Sequence, residues 1–311
     1  MSKTEFLKKF NISLADFDKT GLKYQDLIDI KVDYGNKFQM FDDAGANLVR
    51  ILLRFDDVHS VKYRVKDGEH LMAKIIRKKL ARPKIQIDST NYQTLIQDLI
   101  GIRILHLFKS DWLTIHGKLM ANFKTIQKPE ANIRRGDDET HLKESGCKIK
   151  VHKDGYRSVH YIIKTEPTLK TLIAEIQVRT ILEEAWGEID HKIRYPHNMD
   201  NPLINQYLQI FNRAAGSADE MGDYVLYLNN EMRAKEIEIE SLKTDLLKFE
   251  DNLDKSEIGE KAKDNLTTSF KSIQETLDQV FNSRVRAIEE SALNAIAFKR
   301  SRLLIDKGKG R

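Results

Sequence analysis

Three short segments rich in isoleucine and valine constrain the fold of this chain most, because they lie between stretches with helical periodicity. The three segments are DLIGIRILHLF (98–108), GYRSVHYIIKTE (155–166) and TLIAEIQVRT (171–180). Their length, β-branched content and flanking turn residues predict strands. Apolar residues at steps of three and four predict helices before residue 57, in DWLTIHGKLMANF between the first two strands, and after Pro202. We therefore expect an α/β (α+β) fold, a small mixed β-sheet flanked by helices, with long C-terminal helices.

The same pattern predicts three regions along the chain. Residues 1–57 form an N-terminal helical region with breaks near Gly21 and Gly35, residues 58–200 hold the sheet, and residues 201–311 form a helical extension. Within the sheet region, we expect the polar stretch from 127 to 147 to be a loop. None of the five prolines lies beyond Pro202, so long helices are allowed there. The sequence KSEIGEKAKDN predicts a turn of a helical hairpin, and the basic end KRSRLLIDKGKGR a frayed terminus.

The composition limits the classes of protein to which this chain can belong. At 311 residues with 41% apolar and 32% charged residues, the chain suits a charge-rich globular protein with a core. One cysteine excludes an internal disulfide framework and fits a reducing compartment. The N-terminus lacks a signal-peptide core, and the sequence contains no apolar run of about 18 residues. We therefore expect a cytoplasmic protein without a membrane partner.

Positive charge is concentrated in one segment. The net charge is +5, and nine Lys or Arg stand against two acids between residues 61 and 84. Such a segment is a solvated helix face, a nucleic-acid patch or a nucleotide-phosphate site. Within it, Arg64 and Lys66 come just before a predicted helix that carries Lys74 and Arg77, an arrangement that would suit phosphoryl groups.

The segment AEIQVRTILEEAWGEIDHKIRY (174–195) has the densest mixture of polar and apolar residues. On a strand, Glu175, Gln177 and Arg179 share one face, and the apolar residues between them share the other. In the helix that follows, we expect a buried stripe formed by Leu182, Ala185, Trp186, Ile189 and Ile193. The polar face then lines either solvent or a ligand cleft.

Two further segments supply chemistry-bearing side chains. Asp98 comes just before a predicted strand, and together with Glu175 it offers carboxylates for Mg²⁺. Tyr156 and His160 follow a glycine turn on one strand face, where an aromatic ring either packs in the core or stacks on a base. The sequence contains no Walker, GxGxxG, HExxH, CxxC or GxSxG motif, so the standard nucleotide-binding, redox, zinc and hydrolase signatures are absent.

Four ordered blocks resemble the synthetase domain of RelA/SpoT-type (p)ppGpp synthetases. They are RVK…K at 64–74, DLIGIR at 98–103, GYRSVH at 155–160 and EIQVRT…HK at 175–192. The resemblance implies a nucleotidyltransferase-like fold and transfer of the β,γ-pyrophosphoryl group of ATP to the 3′-oxygen of GDP or GTP, a GTP diphosphokinase reaction. The first block begins near residue 60 and no His-Asp dipeptide occurs, so the resemblance is to the small stand-alone synthetases, without a hydrolase domain.

The resemblance also implies roles for individual residues. Arg64 and Arg103 would enclose the adenine, and Lys66, Lys74 and Arg77 would hold the ATP phosphates. Asp98 would bind Mg²⁺, and Glu175 would activate the 3′-hydroxyl, directly or with the metal. Tyr156 would stack on guanine, with His160, Gln177 and Arg179 facing the acceptor nucleotide.

Three positions depart from the family pattern. Asp67 and Gly68 stand where the family often has Ser and Pro, and an acid beside ATP phosphates is unfavourable unless it points away or is paired. Glu184 stands where some small members have an Asn that reads guanine. We expect Glu184 to accept hydrogen bonds from N1–H and the 2-amino group of guanine, a pattern that adenine cannot offer.

Two alternatives stay open at the level of sequence. Some members of this fold transfer pyrophosphate to the 3′ CCA end of tRNA, and the basic segment and C-terminus would suit an RNA backbone. A catalytically inactive nucleotide sensor is the second alternative. Terminal helices often form oligomers in this group, so we also expect a homo-oligomer.

Overall fold

We describe the protein from a computed structural model, which defines residues 1–194, 201–255, 259–262, 264–276, 278–279 and 283. The helices within these ranges are α1 (Lys3–Lys9), α2 (Leu14–Lys19), α3 (Tyr24–Asn36), α4 (Phe38–Leu52), α5 (Gly68–Ala81), α6 (Tyr92–Leu95), α7 (Asp111–Asn122), α8 (Thr140–Glu144), α9 (Ile181–Arg194) and α10 (Pro202–Asp254). The strands are β1 (Ser60–Val65), β2 (Ile100–His106), β3 (Lys124–Thr125), β4 (Glu130–Ile133), β5 (Lys148–Val151), β6 (Ser158–Thr165) and β7 (Leu172–Thr180). The predicted mixed α/β class is confirmed.

The strands form one mixed sheet in the order β1-β2-β7-β6-β4-β5, with β3 paired to β6. Strand β7 is parallel to β2 and antiparallel to β6, and the edge strand β1 is antiparallel to β2. Strand β7 thus lies between two strands that come earlier in the sequence. This placement brings the polar residues of β1, β2, β6 and β7 to one face of the sheet.

The opposite face of the sheet is the centre of the hydrophobic core. Ile102, Ile104 and Ile176 are each completely buried there, and helix α4 packs against β1 and β2 over this face. Helices α1 to α5 contribute to the same core cluster. One face of the sheet is therefore sealed by apolar packing, and the other is left for polar side chains.

Several sequence predictions need correction. The stretch 127–147 was expected to be a loop, but it contains β4 and α8, both too short to give a periodic signal. Strand β1, with the sequence SVKYRV, was not predicted because its polar side chains belong to a half-exposed edge. The three predicted strands, helix α7 and the helices before residue 57 are confirmed.

The chain divides into two compact units, Met1–Asp223 and Tyr224–Arg311. In the second unit, Phe249 contacts Phe270 with ring centroids 5.1 Å apart, and the Lys243 Nζ lies 2.8 Å from Asp278 Oδ1. These contacts pair two helical stretches, as the predicted hairpin requires. The predicted frayed end at 299–311 lies outside the described residues, and the three-region division stays a prediction.

No helix among the described residues is both long and apolar enough to cross a membrane.

Candidate active site

The strand register places the predicted site residues in two rows on the polar face of the sheet. Gly101 of β2 is paired with Arg64 of β1 and with Glu175 of β7. One pleat further, Arg103 is paired with Gln177, which is in turn paired with His160 of β6. Residues from four strands therefore converge because alternate side chains of every strand point the same way.

Gly101 leaves a depression between the two sides of the first row. A cavity of about 180 Å³ opens above it, and its lining includes Arg64, Asp98, Arg103 and Glu175. A Cβ atom at Gly101 would lie 3.6 Å from Cγ of Arg64, so any larger side chain would fill the floor of the cavity. The cavity brings both predicted carboxylates and both predicted adenine-binding arginines together.

Asp98 is paired with two lysines from different elements. Its Oδ2 lies 3.0 Å from the Lys66 Nζ, just after β1, and 3.1 Å from the Lys74 Nζ on α5. Burial alone would raise the pKa of Asp98, but the charges and hydrogen bonds of the two lysines lower it below its usual value. Arg77 lies three residues beyond Lys74 on the same helix and is exposed. Asp98 is thus ionised at neutral pH and surrounded by cations that suit phosphate groups.

The unusual acid in the basic segment has a local structural role. Asp67 is the N-cap of α5, and its Oδ1 accepts hydrogen bonds from the backbone N–H groups of Glu69 (2.9 Å) and His70 (3.2 Å). These hydrogen bonds lower the pKa of Asp67 against the opposing effect of burial. The carboxylate is therefore paired, which meets the condition set by the sequence for an acid at this position.

Glu175 is held by two side chains of the polar face. Its Oε1 lies 3.3 Å from Nδ1 of His160, and its Oε2 accepts a 2.9 Å hydrogen bond from Gln177. Burial would raise the pKa of Glu175, but the contacts with His160 and Gln177 lower it below the usual value. The Tyr156 hydroxyl lies 3.1 Å from the other ring nitrogen of His160 and fixes the orientation of the imidazole. Glu175 is therefore an oriented, ionised carboxylate at the edge of the cavity.

An arginine covers one face of Tyr156. The Arg179 guanidinium carbon lies 5.4 Å from the Tyr156 ring centroid, and Arg179 donates a 3.0 Å hydrogen bond to Gln177. Gly187 of α9 makes this arrangement possible, because a Cβ atom there would lie 2.9 Å from the Arg179 Nη1. Tyr156, His160, Gln177 and Arg179 thus form one connected group beside Glu175.

Two glutamates of α9 contact the arginines, and only one of them was predicted as a site residue. Glu184 Oε1 accepts a 3.0 Å hydrogen bond from Arg103, and Glu184 Oε2 lies 3.0 Å from Nε of Arg179. Glu188, which the sequence places on the same polar helix face as Glu184 but to which no site role was assigned, also binds Arg103. The signal available was their spacing, because residues i and i+4 share a helix face. In this structure the Glu184 carboxylate is occupied by arginines, and its predicted contact with guanine stays a hypothesis.

The predicted buried stripe on α9 is wrong except for Trp186. Trp186 is buried and donates a 3.0 Å hydrogen bond to the backbone of Leu208. Leu182, Ile189 and Ile193 are between 37% and 43% exposed, and Ala185 is exposed. Helix α9 turns its glutamates toward the polar face of the sheet, and this orientation leaves the apolar side outside the core of the first unit.

The junction between β7 and α9 is fixed by a capping box that sequence reasoning also missed. The Thr180 hydroxyl accepts a 3.1 Å hydrogen bond from the Glu183 N–H, and Glu183 Oε2 accepts a 3.0 Å hydrogen bond from the Thr180 N–H. The sequence T-I-L-E carries the signature of this motif. The motif starts the helix directly at the end of the strand, so Arg179 and Glu184 are brought together within one turn.

A second buried charge cluster lies at the end of the sheet, under the first turns of α10. Arg157 is 5% exposed, and its nearest carboxylates are Glu183 at 3.6 Å and Asp219 at 3.9 Å. Burial and the charge of Glu183 raise the pKa of Asp219 to about 6. Asn212, also on α10, donates a 2.9 Å hydrogen bond to the backbone of Gly155. This cluster anchors α10 next to the segment that carries Tyr156.

The carboxylates of the cavity also fit a hard metal ion. Asp98 Oδ1 is buried and has no hydrogen-bond partner among the described residues, while Oδ2 takes both lysines. Carboxylate oxygens are preferred Mg²⁺ ligands, and Mg²⁺ bound with nucleotide phosphates takes only one or two of them from the protein. Asp98 and Glu175 would supply these oxygens.

Comparisons with known proteins identify the region that carries this site. Residues 63–200 match the family model described as a region found in RelA / SpoT proteins. Two curated relatives from Bacillus subtilis (strain 168) are GTP pyrophosphokinase YwaC, 27% identical over 180 residues, and GTP pyrophosphokinase YjbM, 28% identical over 181 residues. The alignments cover 56% and 55% of this chain, and 75% of each relative.

Among solved structures, small alarmone synthetase 1 from Bacillus subtilis is similar, with 22% identity and a TM-score of 0.49. That match covers 64% of this chain and 99% of the other. All twelve predicted site residues, from Arg64 to Glu184, lie within the family match. The part of this chain that holds the site therefore matches a region found in RelA / SpoT proteins.

Proposed function

We propose that this protein is a GTP diphosphokinase, which transfers the β,γ-pyrophosphoryl group of ATP to the 3′-oxygen of GDP or GTP and releases AMP. The observation that carries the proposal is the pairing of Glu175 with His160 and Gln177 at a cavity that Asp98 also lines, with Asp98 itself paired to two lysines. The names of the two curated relatives, both GTP pyrophosphokinases, support it.

The donor half of the site is built from β1, β2 and α5. Arg64 and Arg103 lie on neighbouring strands on one face and line one cavity, so their guanidinium planes would enclose the adenine. Lys66, Lys74 and Arg77 would neutralise the ATP phosphates. Phosphate oxygens would then compete with Asp98 for the lysine ammonium groups, which leaves the Asp98 carboxylate free for a cation.

The acceptor half is built from β6 and β7. Guanine would stack on the ring of Tyr156, with Glu175 beside the ribose 3′-hydroxyl. Glu175 takes the hydroxyl proton, the 3′-oxygen forms a bond to the β-phosphorus, and the bond from that phosphorus to the α,β-bridging oxygen breaks. AMP leaves with the electron pair of that bond, so the products are ppGpp from GDP or pppGpp from GTP.

Mg²⁺ is part of the proposal. Held by Asp98 and Glu175, it would supply charge neutralisation on the transferring phosphoryl groups. The protein residues do the rest of the work by orienting the 3′-hydroxyl and the phosphate chain in line, which is the largest requirement of such a transfer.

The assembly and location of the protein are also proposals. Leu203, Tyr207 and Ile210 at the start of α10 are 54–65% exposed, and the exposed apolar residues of α9 lie on the helix that Trp186 joins to α10. We propose that a second copy covers this surface in a cytoplasmic homo-oligomer. Light scattering after size-exclusion chromatography of wild type and Ile210→Glu would test it, and a monomeric wild type would refute it.

The direct test of function uses ATP labelled in the γ-phosphate, with GDP, GTP, ADP and bulk tRNA as separate acceptors. Label in ppGpp and pppGpp that disappears with Glu175→Gln would support the proposal. Label on tRNA with none on guanine nucleotides would replace it with the tRNA alternative, and no transfer to any acceptor would favour the inactive sensor. The comparisons support neither alternative.

A further inference from the structure

The two halves of the site are joined by one buried carboxylate. Glu184 is 5% exposed, and each of its oxygens contacts a different arginine, Oε1 the Nη1 of Arg103 and Oε2 the Nε of Arg179, both at 3.0 Å. Arg103 belongs to the donor half and Arg179 to the acceptor half. Among the described residues of the site, Glu184 is the side chain that pairs with an arginine from each half.

The charges of Glu184 and the two arginines make the loss of either contact destabilising. A carboxylate in a poorly solvated position needs its cations, and removing either one would leave charge uncompensated. Arg103 has a second acidic partner in Glu188, whose side chain is 55% exposed, whereas Glu184 is the only carboxylate within 4 Å of Arg179 among the described residues. If the Glu184 carboxylate moves together with one arginine, its contact with the other arginine therefore changes.

From this geometry we propose that Glu184 is a positioning residue that couples the binding of ATP to the binding of the acceptor nucleotide. The inference rests on the proposed function and deepens it. Adenine stacking uses the face of the Arg103 guanidinium and leaves its edge on Glu184. Ordering Arg103 orders the carboxylate, which in turn orders Arg179 against Tyr156.

The consequence is positive cooperativity between the two substrates. The first nucleotide to bind bears the cost of fixing the three paired side chains in their ligand-binding positions, so the second binds more tightly. By thermodynamic linkage, the factor by which GDP tightens ATP binding must equal the factor by which ATP tightens GDP binding. This coupling differs from direct reading of guanine, which would affect acceptor identity and leave ATP binding unchanged.

The test measures the dissociation constant of α,β-methylene-ATP by calorimetry, with and without saturating GDP. A CH₂ group replaces the oxygen of the bond that breaks, so no transfer occurs. In the wild type, we expect GDP to tighten the analogue by about fivefold or more, within the usual range of coupling between sites. The same factor should appear when GDP is titrated with and without the analogue.

Glu184→Gln and Glu188→Gln form a matched pair, because both remove one negative charge next to Arg103. We expect Glu188→Gln to weaken the analogue and keep the coupling factor. Glu184→Gln should reduce the factor to less than about twofold while keeping the preference for GDP over ADP. Glu184→Asp keeps the charge but has a shorter side chain, so it should also lose coupling. Because it keeps the buried charge, it tests the same prediction if Glu184→Gln fails to fold.

Several results would overturn the inference. They are a wild type without coupling, variants of Glu184 with the wild-type factor, or a Glu184→Gln protein that accepts ADP as well as GDP, which would make Glu184 a direct reader of guanine. Coupled binding without any pyrophosphoryl transfer would refute the proposed function and leave the coupling standing. Failure to bind either nucleotide would refute both.

Discussion

Two buried regions of this protein hold acids next to cations, yet they shift the pKa of those acids in opposite directions. On the polar face of the sheet, the pKa values of Asp98 and Glu175 are lowered, because lysines, a histidine and an amide lie 2.9–3.3 Å away. At the end of the sheet, the pKa of Asp219 is raised to about 6, with its arginine 3.9 Å away.

The difference shows that contact geometry, rather than burial, decides the charge state of these acids. Burial acts to raise the pKa of all three. Donors at hydrogen-bonding distance outweigh burial for Asp98 and Glu175, whereas for Asp219 the charge of Glu183 adds to burial and the more distant Arg157 does not offset the two. The first region keeps its carboxylates ionised, which the proposed function requires, and the second joins α10 to the end of the sheet.

Removal of the best-positioned acid should give the largest effect on activity. We expect Glu175→Gln to lower kcat by about 10²- to 10⁴-fold, because the 3′-hydroxyl loses its general base. Steady-state transfer from ATP to GDP measures this. Glu166→Gln is the matched control, since Glu166 is an exposed acid whose Oε1 binds only Thr171 at 2.8 Å in the described structure. Activity of Glu175→Gln within threefold of wild type would refute the role.

Asp98→Asn should have the next largest effect. The change removes a proposed Mg²⁺ ligand, and we expect kcat/KM for ATP to fall by about 10²-fold. Part of the loss should return as the Mg²⁺ concentration is raised, because a weaker site fills at higher metal concentration. Titration of activity with MgCl₂ measures this. A variant with the wild-type Mg²⁺ dependence would show that Asp98 serves only to pair the lysines.

The raised pKa of Asp219 predicts a dependence of stability on pH. Folded Asp219 has a pKa of about 6, and the unfolded residue about 3.9. Its contribution to stability is therefore fully present below pH ~4 and is lost as the pH rises through ~6. We expect the difference in Tm between wild type and Asp219→Asn to fall over this window and to stay level above it. A level difference from pH 4 to 8 would contradict the raised pKa.

The smallest effect concerns Asp67, an acid with a lowered pKa on an exposed helix end. Asp67→Ala should destabilise the protein by about 1 kcal/mol, because the N-cap of α5 is lost. Asp67→Ser keeps a capping oxygen and should stay close to wild type in Tm, with KM for ATP within about twofold, since the carboxylate is directed to the helix. A large fall in KM for ATP with Asp67→Ser would show that this acid opposes phosphate binding.

Sequence reasoning found the parts of the site that local pattern can report. Alternation on β7 placed Glu175, Gln177 and Arg179 on one face, and the family blocks brought Asp98 and Arg103 to the cavity that Glu175 also lines. The pattern on α9 failed because periodicity shows that apolar residues share a face and does not show what covers that face.

The remaining features depend on contacts between distant residues. Arg157 and Asp219 are 62 positions apart, and Arg103 and Glu188 are 85 positions apart. No local pattern joins them, and nothing in composition distinguishes them from surface charges. Strand β1 was missed for a related reason. Its exposed Lys62 and Arg64 are recognisable as strand residues only through the pairing of β1 with β2.

The position of β7 in the sheet has a consequence for how the protein is made. Among the residues that the structure describes it is the last strand to be synthesised, yet it occupies the middle of the sheet, between β2 and β6. Until residue 180 has left the ribosome, the growing chain cannot form β7, the strand that carries Glu175. Without β7, strands β2 and β6 are not joined into one sheet. The long separation between β2 and β7 makes their pairing a slow, non-local step. We therefore expect activity to arise in one late event of biosynthesis, with no partly active precursor before it.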